Sequence, residues 1–559
     1  MSFYVECYPL KAQYLKNENV EINVEINGEL KNNTLIEVNI YNLGRKVTSK
    51  SKVSNSKNNE LFTFELERDL KAMKGYEVEA IIKLDETEKK AYTAFDVVEK
   101  AELCPRYGFM SDFSPKDYYD DEDIKSMNKF HLNIVQYYDW MYRHHEMLPP
   151  TNEFIDPLGR KLSIDTVKQK IDYGHKYGMK ALGYAAVYGA GKEFFESNKE
   201  CALYRNDNKV IDFGNFLFIM DINRENPWHD HIIEEFKKAI DFGFDGLHLD
   251  QYGFPKEAVS LNKVRHLKDD FPNFIDDVKD EISKTGKNPF LIFNAVNNWP
   301  IENVANSKQD VMYIEVWNPN DSYRDLADLI NNAKRYCKEK QVVLAAYMRP
   351  FLKELNIPSE QAENATLLTL STIFANGGFN LLLGENNGIL AEPYYANYTV
   401  SPSEEFTSKL KNYYDFIVKY EELLFDLSLI NLNMTYTGGI NEEYVFSGSD
   451  FSPKPELNKV NTLIKEKENY KVINLVNYIG LENDRWNEAK KLLPNQIDNI
   501  EVTALIVEKI KGIYLCSPDF NSGNVIELKY EYVEHSQGQA IKFTIPKLCV
   551  WDLVFIETE

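Results

Sequence analysis

The stretch Asp245-Gly-Leu-His-Leu-Asp-Gln-Tyr-Gly253 decides how the rest of the chain is read. Alternating apolar residues run into one carboxylate and then a glycine, the pattern of a buried parallel strand that delivers a single charged side chain to the rim of a barrel. With a side-chain period of two, His248 and Asp250 share a face, so an Asp250 that points into the barrel mouth has His248 directly below it. Val311-Met-Tyr-Ile-Glu-Val-Trp317 repeats the pattern, with Glu315 as its only charge and Trp317 at its end. Two strands that each end in one acid point to paired-carboxylate chemistry of the kind used in glycoside hydrolysis. The alternative is that both acids merely close salt bridges. Two such strands in one barrel pattern, with aromatics beside them, weigh against it.

Working outward, the chain from Arg106 alternates strand-like runs with amphipathic helical stretches, which is the signature of βα units and a parallel sheet. The strand-like runs are Tyr107–Asp112, Asn133–Trp140, Lys180–Ala186, the Asp250 strand, Pro289–Asn294, the Glu315 strand, Gln341–Tyr347 and Phe379–Gly384. Helical patterns fit between them, among them Ile164–Tyr177, Pro227–Phe242 and Pro358–Ala375. This predicts a (β/α)8 TIM barrel over residues 103–425. Residues 1–102 hold alternating runs at Val20–Ile26, Leu35–Ile40, Leu61–Leu66 and Tyr76–Ile82, which predict an immunoglobulin-like β-sandwich. Its expected role is a packing platform, because no exposed aromatic row is evident. Strands return in residues 426–559, at Tyr470–Asn477, Gly512–Cys516, Val525–Tyr530 and Ala540–Pro546, followed by an apolar segment from Leu548 to Ile556. These predict a closing Greek-key β-sandwich. The expected fold class is therefore multidomain α/β, with a central barrel between two β-domains.

Composition narrows the partners. A formal net charge of −23 and a pI near 5.0 exclude an electrostatic footprint for nucleic acid or an anionic membrane surface, since either polyanion would be repelled. A neutral substrate fits better. Aromatic residues reach 13%, with 35 Tyr and 32 Phe, enough to fill cores and still supply rings on which sugars stack. The six cysteines are scattered, with no C-x-x-C and no metal-ligand spacing, and read as free buried thiols suited to a reducing compartment. The sequence opens without a basic n-region or a long apolar stretch, so the expectation is a cytoplasmic protein, or a secreted one if a leader precedes this sequence. No run of apolar residues is long enough to span a bilayer.

Barrel enzymes carry their reacting groups at the C-terminal strand ends, so the rim candidates come from there. The second strand runs into Gln136-Tyr-Tyr-Asp-Trp-Met-Tyr-Arg-His-His145, which offers Gln136, Tyr138, Asp139 as an acceptor for sugar hydroxyls, Trp140 as a stacking surface, and His144. Adjacent histidines diverge in direction and no third ligand lies at a recognisable spacing, so no metal is expected. Further rim candidates are Asp112, Tyr184, Tyr188, Gln251, Asn294, Trp317, Met348 and Glu385. There is no G-x-S-x-G, no P-loop and no G-x-G-x-x-G after a strand, so neither a serine nucleophile nor a nucleotide cofactor has a visible site, and no cofactor is expected.

Taken together, Gly243-Phe-Asp-Gly-Leu-His-Leu-Asp-Gln-Tyr-Gly253, Tyr313-Ile-Glu-Val-Trp317 and the Gln136–His145 run resemble glycoside hydrolase family 66, the endo-dextranases and cycloisomaltooligosaccharide glucanotransferases. The resemblance is strongest from about residue 105 to 425. It implies that Asp250 is the nucleophile and Glu315 the general acid/base of a retaining reaction, and that the substrate is an α-1,6-linked glucan or isomaltooligosaccharide. The family's cyclising members carry a carbohydrate-binding module inserted in the catalytic domain, for which the barrel pattern here leaves no room. The resemblance thus implies the hydrolytic, dextranase branch. On this reading Asp250 must stay ionised, helped by donors such as His248 or Gln251, while Glu315 needs a raised pKa. A transglycosylase and a non-catalytic glucan-binding protein are the two other readings. Both acids are present, which disfavours the second.

Overall fold

A computed structural model describes residues 3–28, 34–54, 60–66, 70–84, 87–393, 400–433 and 443–559. Its centre is an eight-stranded parallel sheet in strict chain order. The strands are β1 (Tyr107–Met110), β2 (Ile134–Tyr137), β3 (Lys180–Ala186), β4 (Gly246–Asp250), β5 (Phe290–Asn294), β6 (Val311–Glu315), β7 (Val342–Ala345) and β8 (Phe379–Asn380). Just past β8, Gly384 forms a parallel bridge to Phe109, and the Phe109 amide donates to the Leu383 carbonyl at 3.0 Å. The sheet is therefore nearly closed on itself and fits a TIM barrel. All five residues of β5 and the first four of β4 and β6 are buried, as expected of strands covered on both faces.

Each strand is followed by a helix, and local sequence sets where each begins. The helices are α1 (Glu122–Lys129), α2 (Ile164–Lys176), α3 (Pro227–Phe242), α4 (Leu267–Ser283), α5 (Ile301–Val304), α6 (Tyr323–Tyr336), α7 (Ser359–Ala375) and α8 (Glu404–Lys419). Asn226 caps α3 through the Trp228 amide, with Pro227 pre-set in the first turn. Ser322 and Asp325 form a reciprocal capping box on α6. Helix α7 is buried nearly all round, because it lies between the barrel and the sheet that follows it.

The flanking regions are β-rich. Near the N-terminus a three-stranded and a five-stranded sheet enclose their own apolar core, which includes Ile22, Val24, Val38, Phe64, Val78 and Phe95. The five-stranded sheet lies directly on α8, and a Cβ at Gly75 would sit 1.9 Å from the Val418 carbonyl oxygen, so that position takes glycine. After the barrel come a seven-stranded and a four-stranded sheet. Trp551 fastens the larger one to the barrel helices, packing on Phe374, Tyr413 and Phe416 while its indole N–H donates to Asn474 at 3.0 Å. Among the described residues no helix is long and apolar enough to cross a membrane, and the six cysteines are unpaired, five of them buried.

At the N-terminal end of the barrel a buried ion pair ties the first barrel strand to the sheet before it. Arg106, 2% exposed, grips both oxygens of Asp96 at 2.8 and 2.9 Å and donates to the carbonyls of His131 (2.6 Å) and Ala12 (3.1 Å). Gln13 completes the set, donating to Asp96 at 2.8 Å and accepting from Asn133 at 2.7 Å. Removing one member of such a pair strands the other charge in a water-free site, at a cost of about 3–5 kcal/mol. Arg106→Leu should therefore lower the urea midpoint sharply, and Asp96→Leu combined with Arg106→Leu should recover a large part of the loss. A double variant less stable than the single one would show that the pair contributes through packing rather than charge balance.

Candidate active site

Three adjacent strands build the mouth of the barrel. Leu249 of β4 pairs with Phe293 of β5, and Asn294 of β5 pairs with Tyr313 of β6, so the strand ends carrying Asp250, Asn294 and Glu315 lie side by side. The Asn294 amide nitrogen donates to Asp250 Oδ1 at 2.8 Å and to Glu315 Oε2 at 3.1 Å. Those two oxygens are consequently less than about 6 Å apart, short of the roughly 6.5–9.5 Å that leaves room for an intervening water. Each acid has one further side-chain donor of its own, and the Gln251 backbone amide also bonds Asp250. The Tyr184 hydroxyl donates to Asp250 Oδ2 at 2.6 Å, and the Tyr347 hydroxyl donates to Glu315 Oε1 at 2.7 Å.

Electrostatics follow from this crowding. Removal from water, and then the negative charge of Glu315, push the Asp250 carboxyl up to about 7, against the opposing hydrogen bonds from Tyr184 and Asn294. The rise falls on Asp250, the acid expected to stay ionised, because its carboxyl is both removed from water and beside a second carboxyl. Beneath them His248 is neutral, since burial pulls its imidazole down to about 3. Its Nδ1 shares a hydrogen bond with the Tyr107 hydroxyl at 2.9 Å, and its ring stacks between Tyr107 and Tyr184 and meets Tyr313 edge-on at 4.6 Å. This aromatic floor keeps water out from below.

Of the residues expected at the rim, Gln136, Tyr138, Tyr184, His248, Asp250, Asn294 and Glu315 line one cavity together. Trp317 stands at its edge, 38% exposed, with its ring 5.6 Å from that of Tyr347. His248 does lie below Asp250, and of the two donors expected for Asp250 Gln251 supplies its backbone amide, alongside the Tyr184 hydroxyl and the Asn294 amide.

The other expectations need correction. Asp139 turns the chain with φ 47, and its carbonyl accepts from Arg160 at 2.9 Å. The next residue, Trp140, is thereby sent into the core against Phe242 and Phe244, wholly buried and unable to offer a stacking face. His144 is buried, which lowers its imidazole to about 4, and the neighbouring His145 turns away to accept from the Gly191 amide. Tyr188 is wholly buried, donating to the Phe254 carbonyl and accepting from the Tyr252 amide. Gln251 is buried beside β5, where its amide donates to the Asn294 carbonyl at 2.9 Å and so braces the bridging residue. Met348 is buried, and Asp112 is exposed and accepts from the Ser114 amide. Glu385 accepts from the Ser111 amide and hydroxyl, which ties the chain after β8 to the end of β1, and burial pushes its carboxyl up to about 7.

Phe109, Tyr313, Tyr347, Leu381, Leu390 and Pro393 also line the cavity and were not expected there. Tyr347 had a legible signal, because two residues past Ala345 the period of two returns a side chain to the interior face.

The chain matches the family model of glycosyl hydrolase family 66 over residues 10–555. A cycloisomaltooligosaccharide glucanotransferase of Niallia circulans is 24% identical over 712 aligned positions, covering 99% of this chain and 72% of the relative. A dextranase of Streptococcus salivarius is also 24% identical, covering 82% of this chain and 64% of the relative. The crystal structure of a Paenibacillus sp. cycloisomaltooligosaccharide glucanotransferase complexed with cycloisomaltoheptaose superposes with a TM-score of 0.89 at 21% identity, covering 99% of this chain and all of that one. At that identity the superposition establishes the shared fold, and the match of nearly the whole sequence to the family model establishes membership. The chain belongs to glycosyl hydrolase family 66, and by that membership it is a glycoside hydrolase.

Proposed function

We propose that the protein is a retaining α-glucan hydrolase of the dextranase type, cleaving α-1,6-glucosidic linkages of dextran or isomaltooligosaccharides. The observation that carries the reading is the single Asn294 amide bonded to both Asp250 and Glu315, which supports the short carboxyl separation of a double-displacement enzyme. Asp250 attacks the anomeric carbon as a carboxylate while Glu315 gives its proton to the leaving glycosidic oxygen. Once Asp250 is esterified its charge is gone, and Glu315 deprotonates the water that releases the sugar. Gln136, Tyr138 and the Nε2 edge of His248 serve as partners for sugar hydroxyls, and Trp317 as a stacking face. The N-terminal sheets, read as an immunoglobulin-like sandwich, and the C-terminal sheets, read as a Greek-key sandwich, brace the barrel.

The second reading, a glucanotransferase that closes isomaltooligosaccharide rings, is favoured by the Niallia circulans relative, whose alignment covers 99% of this chain. Hydrolysis is favoured by the Streptococcus salivarius dextranase among the relatives. Sizing the products from dextran separates the two readings, with linear oligosaccharides expected here rather than rings.

Three outcomes test the chemistry. Asp250→Ala and Glu315→Gln should each lower turnover by several orders of magnitude with the fold intact, since rim carboxylates serve chemistry more than packing. Azide should give an α-glucosyl azide with Glu315→Ala and only a β-glucosyl azide with Asp250→Ala, and matching anomers from both would remove the assigned roles. Proton NMR during early hydrolysis should show α-anomers first, and an initial β-anomer would overturn the mechanism. Asp250 attacks only as a carboxylate, so kcat/KM should rise with pH through about 7. In Glu315→Gln, on a substrate with an activated leaving group, that rise should move to lower pH, because the neighbouring charge that raises the Asp250 carboxyl is gone.

A further inference from the structure

The loop between β3 and α3 carries a small sheet whose tip has no role in the core. Its strands are Gly189–Ala190, Asp212–Phe213 and Leu217–Ile219, the last pairing with both others. The turn that joins the second to the third contains Gly214 and Asn215, both at positive φ (64 and 57), and is closed by the Phe216 amide on the Phe213 carbonyl and the Asn215 amide on the Asp212 carboxylate. The base of this hairpin is anchored, because Phe218 stacks on Phe195 at 4.2 Å with the rings nearly parallel. Its tip is not. Phe213 is 43% exposed and Phe216 37% exposed, an apolar surface that folding alone gives no reason to leave in water.

What Phe213 touches gives the tip a direction. Its ring lies nearly parallel to Tyr252 at 5.3 Å and to Phe254 at 6.1 Å. Tyr252 is two residues beyond Asp250 and is held there by its amide on the Tyr188 hydroxyl at 2.6 Å. The three rings form a shelf that begins at the end of β4 and runs outward from the mouth. Trp317 is exposed at the end of β6, so the strand order places Asp250, Asn294 and Glu315 between the shelf and Trp317. Aromatic faces on both flanks of a carboxylate pair suit a chain of apolar-faced rings that extends past the cleavage point in both directions.

We infer that Phe213 and Phe216, with Tyr252 and Phe254 behind them, form a binding subsite for glucosyl units of an α-glucan chain on the Asp250 side of the cleavage point, opposite Trp317. The inference rests on the α-glucan reading above and extends it, because occupied subsites on both flanks favour cleavage within a chain over cleavage at its end.

The test is affinity electrophoresis of the full chain in gels containing dextran, with Asp250→Asn as the parent so that the gel is not digested. The parent should be retarded, and the same protein with Phe213→Ala and Phe216→Ala should lose at least fivefold in apparent affinity. Phe213→Tyr should bind like the parent, whereas Phe213→Leu, which keeps apolar volume but has no ring, should bind like Phe213→Ala. The leucine variant also keeps the test valid if the double alanine variant unfolds early in a thermal melt. Equal retardation of the parent and the ring-deleted variants overturns the shelf and leaves the α-glucan reading standing. No retardation of the parent by dextran, starch or pullulan overturns the substrate reading and the shelf with it. In active protein the double alanine variant should lose at least tenfold more kcat/KM on dextran than on isomaltotriose, and equal losses on both would likewise overturn the inference.

Discussion

One side-chain amide holds the two acids of the site. Asn294 reaches Asp250 on one neighbouring strand and Glu315 on the other, while its own carbonyl side faces the Glu315 backbone amide at 3.3 Å. Only a parallel sheet in unbroken chain order can do this, because β5 must lie between β4 and β6 with all three ending at the same level. A one-residue slip of β5 would present Phe293 or Ala295 in place of the amide. The two acids would then face each other with no donor between them. Gln251 removes that freedom by bonding the Asn294 main chain from β4.

The carboxylates were legible in the sequence because charge inside a buried strand is costly, so a single acid at the end of an apolar run marks where the strand meets the mouth. The quoted stretch also contains a counter-example. Asp245, at its other end, accepts from His175 and from the Ala181 amide and closes a contact at the bottom of the barrel, as the salt-bridge alternative anticipated for any lone acid. Position within the strand separates the two cases, and residue type does not. The same logic found Tyr184 and Asn294, which sit on strands or at their last residue.

It failed where the chain had already left the strand. Past the final ladder residue the period of two no longer applies, and direction is set by the turn, as at Asp139, whose positive φ carries Trp140 inward. Tyr188 and Met348 lie beyond the ends of β3 and β7 and are buried in the same way. Tyr347 shows the converse, a residue outside the assigned strand that still obeys its alternation. Phe213 lies on a hairpin 27 residues after the end of β3, and no periodicity of the barrel reaches that far. The flanking sheets were legible from alternation alone, but which helices they pack on depends on close approaches such as that at Gly75.

The two ends of the barrel treat buried charge in opposite ways, and this bears on what the mouth can accept. At the bottom, Asp96 is paired with the Arg106 guanidinium, and the buried Glu421 carboxyl beside them is pushed well up by burial and by the Asp96 charge. At the top, the side-chain donors to Asp250 and Glu315 among the described residues are an amide and two phenols. Neutral donors orient a carboxylate without holding it ionised as a guanidinium would. An arginine in place of Tyr184 or Tyr347 would hold both acids ionised and leave no acid for the first step. The same balance limits the ligand. An anionic substrate would add charge to a dry site that already holds two carboxyl groups, and a cation would hold both of them ionised. A neutral, polyhydroxylated chain that offers hydroxyls to the amide and phenol donors, and ring faces to the surrounding aromatics, perturbs that balance least.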